Sequence, residues 1–68
     1  MKKIYIVNVL YRVRDEKTNN EKVNAVALKA FESEEDAIRF RDWYKKEKMG
    51  KAEIYIWVET LEFVPHGN

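Results

Sequence analysis

The chain has no cysteine, a single proline (Pro65), a single histidine (His66), a single serine (Ser33) and only two glycines, Gly50 and Gly67. Without cysteine there can be no disulfide, no thiolate zinc site and no thiol nucleophile, which fits a reducing compartment and makes the cytoplasm the expected location. His66 follows the proline with no second metal-ligating residue at a suitable spacing, so neither a metal centre nor an imidazole base is expected. The two glycines are too far apart to build a phosphate-cradling loop. No apolar run approaches the ~20 residues that span a bilayer, and the N-terminal stretch "MKKIYIVNVL" lacks a small-residue cleavage site. A soluble, unprocessed protein is therefore expected.

An excess of charge of either sign is also missing. Thirteen Lys+Arg against twelve Asp+Glu leave a formal net charge of +1, short of the basic excess usual in phosphate-binding domains and too far from acidic for a nucleic-acid mimic. The acidic run Glu32, Glu34, Glu35 and Asp36 does not read as a catalytic or metal cluster, because successive helical residues point in different directions and the start of a helix explains it. No cofactor, no small-molecule substrate, no membrane partner and no enzymatic activity are expected.

What remains is a short, strongly patterned chain. Its 68 residues make one domain, of a size that buries only about 60 % of its unfolded surface and gains from a partner. Hydrophobic residues at 46 % together with charged residues at 37 % suit a compact body with a charged exterior. Residues 1–64 are expected to form this domain and 65–68 a flexible tail.

"KKIYIVNVLYRVR" reads as a long first strand: Tyr5, Val7, Val9, Tyr11 and Val13 on one side, Ile4, Ile6, Asn8, Leu10 and Arg12 on the other. The polar segment "DEKTNNEK" reverses the chain, Asn19 and Asn20 being tolerant of left-handed backbone. "VNAVALKAF" is a shorter second strand. The pattern then changes to a helical period. Ser33 is suited to cap the helix, Glu34, Glu35 and Asp36 favour the positive end of its dipole, and Lys45, Lys46 and Lys48 favour the negative end, with Gly50 as terminator. Ala37, Phe40, Tyr44 and, at the margin, Trp43 make its apolar stripe. "AEIYIWVETLEFV" is the third strand, ended by Pro65. The expected fold is α+β: a β-β-α-β chain forming a three-stranded antiparallel sheet in the order 2-1-3, with one helix on one face.

One helix cannot cover two faces. Orienting each strand by its polar interruptions puts Tyr5, Val7, Val9, Tyr11, Val26, Leu28, Ile54, Ile56 and Val58 beneath the helix, while Ala25 and the residues Ile4, Ile6, Asn8, Leu10, Arg12, Ala27, Tyr55 and Trp57 fall on the helix-free face, with Lys29, Glu53 and Glu59 at its rim. An aliphatic centre with amphipathic aromatic anchors and a charged border has the composition of a protein interface. The expected partners are a second copy of the chain and another protein, with Asn8 as a register-fixing hydrogen-bonding group; the simpler alternative folds the tail back over part of the face and leaves the rest exposed. A second class of function, nucleic-acid binding, would stack bases on Tyr55 and Trp57 and draw phosphates to Lys45, Lys46, Lys48 and Lys51. Glu53 and Glu59 would oppose it.

The segment "KAFESEEDAIRFRDWYKKEK" between two apolar strands resembles small ββαβ proteins of phage and prophage genomes, in which a strand ends in an aromatic followed by serine and an acidic, alanine-containing helix start, here Phe31, Ser33, Glu34, Glu35 and Ala37. The resemblance implies a setting in which small phage proteins bind host proteins, including inhibitors of host defence. It carries over no functional residue.

Overall fold

A computed structural model describes residues 2–63. The expected tail 65–68, its Pro65 stop and the fold-back of that tail lie outside the described residues. Four elements follow in order: β1 (Lys2–Asp15), β2 (Asn20–Phe31), α1 (Glu34–Glu47) and β3 (Glu53–Phe63). The three strands form one antiparallel sheet in the order β2-β1-β3, with α1 on one face. The architecture is the α+β arrangement that the pattern of the sequence predicts.

The first reversal is a four-residue loop between the paired residues Asp15 and Asn20. Asn19 takes the left-handed conformation (φ 59°), and its N–H donates to the Asp15 carbonyl at 2.7 Å while the Asp15 carboxylate accepts from the Lys17 N–H at 3.0 Å. Asparagine tolerates this backbone because its short polar side chain offsets the Cβ clash that excludes bulkier residues. Strand β2 starts three residues before its apolar pattern does, since ladder hydrogen bonds do not require apolar side chains.

At the start of α1 the Ser33 hydroxyl accepts from the Asp36 N–H at 3.4 Å, with Glu34, Glu35 and Asp36 in the first turn and Lys45 and Lys46 in the last. Its end corrects one expectation. The helix closes without a left-handed glycine: Lys48 is right-handed, and the N–H groups of Lys48 and Met49 both donate to the Tyr44 carbonyl, at 2.9 and 2.8 Å. Gly50, which has no positive φ, instead begins the turn into β3, its carbonyl accepting from the Glu53 N–H at 3.1 Å.

Two irregularities decide which residues share a face. Val7 pairs with Lys29 but Asn8 pairs with Ala27, so Leu28 and Lys29 together stand opposite Val7; Leu10 pairs with Tyr55 but Tyr11 pairs with Glu53, so Ile54 is the extra residue on β3. Each is a β-bulge, in which two consecutive residues oppose one and the side-chain alternation slips by one step. Lys29 and Glu53 are therefore on the helix side of the sheet rather than on the rim of the opposite face. The Lys29 ammonium lies 5.3 Å from the centre of the Phe31 ring and 5.8 Å from that of Phe40, and Glu53 bonds to α1. Strict alternation through Lys29 and Glu53 misplaces both.

Beneath the helix, Val7, Val9, Ala37 and Ile56 are buried, flanked by Tyr5, Leu28, Phe31, Phe40, Tyr44, Met49 and Val58. The rings of Phe31 and Phe40 meet at 5.5 Å, and Phe40 touches Trp43 and Tyr44 in turn. Two residues assigned to this layer from the sequence are largely outside it: Val26 is 44 % exposed and Ile54 41 %. A 14-residue helix is about 21 Å long, whereas a 14-residue strand runs for about 46 Å. The helix covers the middle of β1 and leaves the hairpin end bare on both sides, where Val13 and Val23 are exposed. The radius of gyration, 15.3 Å, is well above the ~11 Å of a compact chain of this length.

Candidate protein-interaction surface

The helix-free face is ordered in rows by the strand register. Because Val7 and Val9 point into the core, the even residues of β1 point the other way, and directly paired residues on neighbouring strands share their side. From one end of the face to the other, the rows read Ala25, Leu10, Tyr55; then Ala27, Asn8, Trp57; then Ala30, Ile6, Glu59; then Ile4 and Leu61. Arg12 lies at the hairpin end, before the row of Leu10 and opposite Val23. All eight residues assigned to the interface from the sequence, Ile4, Ile6, Asn8, Leu10, Arg12, Ala27, Tyr55 and Trp57, lie on this face together. Leu61, Ala30 and Val23 join them unanticipated. Leu61 was legible as the next but one residue after Glu59; Ala30 was not, because only the bulge at Leu28 turns it to this side.

Tyr55 and Trp57 are stacked, with ring centres 5.8 Å apart and planes inclined by 15°, and Tyr55 is 60 % exposed. They line a shallow hollow with Leu10. Asn8, 9 % exposed at the middle of the face, donates from Nδ2 to Glu59 Oε1 at 3.2 Å. This bond satisfies one of its polar groups inside the chain, where the sequence suggested only a partner from outside. Glu59 sits on the edge strand β3, opposite Ile6 and between Trp57 and Leu61.

The chain exposes 5672 Å², roughly 1,100 Å² more than the ~4,500 Å² of a compact monomer of 8.2 kDa, an excess to which the bare hairpin end and the helix-free face both contribute.

The four lysines offered for nucleic-acid contact, Lys45, Lys46, Lys48 and Lys51, are exposed at the C-terminal end of α1 and in the turn after it. Lys45, Lys46 and Lys48 belong to the helix layer, so the sheet separates them from Tyr55 and Trp57, while Lys51 lies in the turn that leads into β3. The Lys48 ammonium lies 5.8 Å from the centre of the Trp43 ring. Among the described residues, no three of His, Asp and Glu converge as metal ligands would, and no helix is long and apolar enough to cross a membrane.

The best-defined polar cluster lies on the helix side. The Tyr44 hydroxyl donates to Glu53 Oε2 at 2.6 Å, and the Gly50 N–H donates to Glu53 Oε1 at 2.9 Å. The bond from Tyr44, then that from Gly50, holds the Glu53 carboxyl below its ordinary range, with desolvation opposing. The same bond, with burial and the nearby carboxylate charge, raises the Tyr44 hydroxyl. Every polar atom of this cluster has a structural partner, which makes it a clamp between helix and sheet. No family model, no curated protein and no solved structure matches the chain.

Proposed function

We propose that the chain is a non-enzymatic protein-interaction module that works through the helix-free face of its sheet, first by self-association into a homodimer. The observation that carries this reading is an uncovered, largely apolar face in a chain whose buried apolar residues are only Val7, Val9, Ala37 and Ile56 among those described. At about 25 cal/mol per Å² of apolar area removed from water, covering that face would contribute several kcal/mol or more before the costs of association. So small a core gains much from it. Binding of a host protein by a phage-encoded inhibitor, the setting implied by the resemblance, would use this same face, and the absence of cysteine fits action in the cytoplasm.

Light scattering or sedimentation at micromolar concentration tests the proposal. The expected mass is twice the 8.2 kDa of one chain. A monomer at all accessible concentrations, both for the full chain and for a variant ending at residue 63, would overturn it.

The stacked pair Tyr55 and Trp57 favours a second reading, a platform for single-stranded nucleic acid. Glu59 beside that pair and lysines on the far layer place it second. A salt-dependent change in tryptophan fluorescence on adding oligonucleotides would reverse the ranking.

A further inference from the structure

The helix-free face is a ramp. In the row of Leu10 the side chains grow from Ala25 to Tyr55, and in the row of Asn8 from Ala27 to Trp57. Alanine occupies β2 again at Ala30, because the bulge at Leu28 carries Lys29 to the helix side. One edge of the face is therefore low along three consecutive rows, and the other edge carries the two stacked rings.

Resting on the reading that this face self-associates, we infer that two copies pack face to face about a two-fold axis running parallel to β1. The argument is one of shape. Packed sheets lie about 10 Å apart, with the side chains of both inner faces sharing that gap. A two-fold axis in the plane between the sheets and perpendicular to the strands would lay β3 on β3 and β2 on β2: rings would meet rings while alanines faced alanines across a void. An axis parallel to the strands exchanges the edges, so the tall side of each ramp meets the low side of the other. Interiors tolerate neither voids nor overlap, so the second arrangement is selected.

The same axis fixes the alignment along the strands. Rotation about a line parallel to β1 leaves each row at its own height, so Trp57 of one copy meets the trough at Ala27 of the other, Tyr55 meets Ala25, and Asn8 meets Asn8. That last contact has a chemical counterpart. Asn8 gives one N–H to Glu59 and, among the described residues, leaves its other N–H and its carbonyl unengaged. Two amides related by the axis donate to and accept from each other reciprocally, which satisfies both and sets the register.

Exchange of sizes across the contact tests the arrangement. Ala27 is exposed within one chain, so Ala27→Trp leaves the fold intact by circular dichroism but should weaken dimerisation at least tenfold, because the trough for Trp57 is filled. The double variant Ala27→Trp, Trp57→Ala inverts the ramp in that row and should recover most of the loss. With the axis perpendicular to the strands, Ala27→Trp would instead fill a void and leave dimerisation unchanged or tighter, which would overturn the inference.

Cross-linking gives an independent reading, since the chain has no cysteine of its own. Ile4→Cys and Leu10→Cys, each alone, should both yield covalent dimers with a bis-maleimide of about 8 Å span, because each residue faces its own copy. Their positions are about 20 Å apart along β1, so a perpendicular axis could allow at most one of them. A dimer in which only one or neither variant cross-links overturns this geometry while leaving self-association standing. A chain that is monomeric with or without residues 64–68 overturns both; one that dimerises only after their removal shows the face already covered by its own terminus and likewise overturns the geometry for the full chain.

Discussion

Tyr44 and Glu53 are joined across the boundary between α1 and β3 by a 2.6 Å hydrogen bond from the phenol to the carboxylate. The bond needs a protonated phenol and an ionised carboxyl, so it should fail at both ends of the pH scale. Glu53 has a lowered pKa in the fold, and the unfolded chain takes up its proton first; its stabilisation is present above the ordinary glutamate range and is lost as pH falls through the depressed value. Tyr44 has a raised pKa, so its contribution is present below the ordinary tyrosine range and is lost as pH rises through the elevated value. Urea midpoints measured from pH 3 to 11 should show a plateau with both shoulders. Glu53→Gln should flatten the acid shoulder, and an unaltered acid shoulder in that variant would refute the assignment.

Trp57→Glu and Tyr44→Glu should separate association from folding. Trp57 lies on the open face and Tyr44 against the core. Placing a carboxylate at Trp57 removes an aromatic anchor worth about 2 kcal/mol or more, roughly a thirtyfold loss of dimer affinity, with the helical signal retained. Tyr44→Glu loses about 3 kcal/mol or more of packing and sets a second carboxylate beside Glu53, enough to unfold so small a core. Circular dichroism and light scattering on the two variants decide the matter. Unfolding by Trp57→Glu would invert the assignment of the faces.

Glu59→Gln should strengthen self-association. The glutamine carbonyl can still accept from Asn8, while the charge that would be enclosed between two sheets is gone. A gain of about 1 kcal/mol, near fivefold in affinity, is the expected size in a dilution series followed by tryptophan fluorescence. Weaker association would mean that the carboxylate meets a cation on the partner.

Gly50→Ala should be neutral or mildly stabilising. The residue has no positive φ, and an added Cβ would meet only Glu53 Oε1 at 3.6 Å, an ordinary contact. Restricting the unfolded chain then contributes up to about 1 kcal/mol. Asn19→Val should have the opposite sign, costing roughly 1–2 kcal/mol because a β-branched residue is forced to a left-handed backbone. Thermal melts of both variants check the pair; strong destabilisation by Gly50→Ala would show a role that the turn geometry does not provide.

The element order, the sheet order and the helix cap were legible because each rests on local chemistry: the long β-branched run of β1, the asparagines of the reversal, and the serine with its acidic neighbours. The central layer of Val7, Val9, Ala37 and Ile56 was legible from alternation and helical spacing. Alternation misled at Lys29 and Glu53, where an extra backbone residue shifts the phase and no side-chain pattern marks the event. It misled in another way at Val26, which is on the helix side by register but lies on the stretch of edge strand β2 that α1 does not reach. Patterning tells on which side a residue stands, not how far the covering element extends. Phe31 and Met49 were missed for the converse reason: each lies at an element boundary, where periodicity gives little warning of burial.

The extra residues at Leu28 and Ile54 give the molecule a form of surface control that depends on counting rather than on composition. Were the ladder to close regularly with Leu28 kept, Lys29 would pair with Ile6 and stand on the outer face where Ala30 stands now, with not one amino-acid type exchanged for another. In comparing related chains, a one-residue gap at either position would accordingly leave the outer surface as it is, whereas a shift of the bulge along its strand would rebuild that surface without a single replacement.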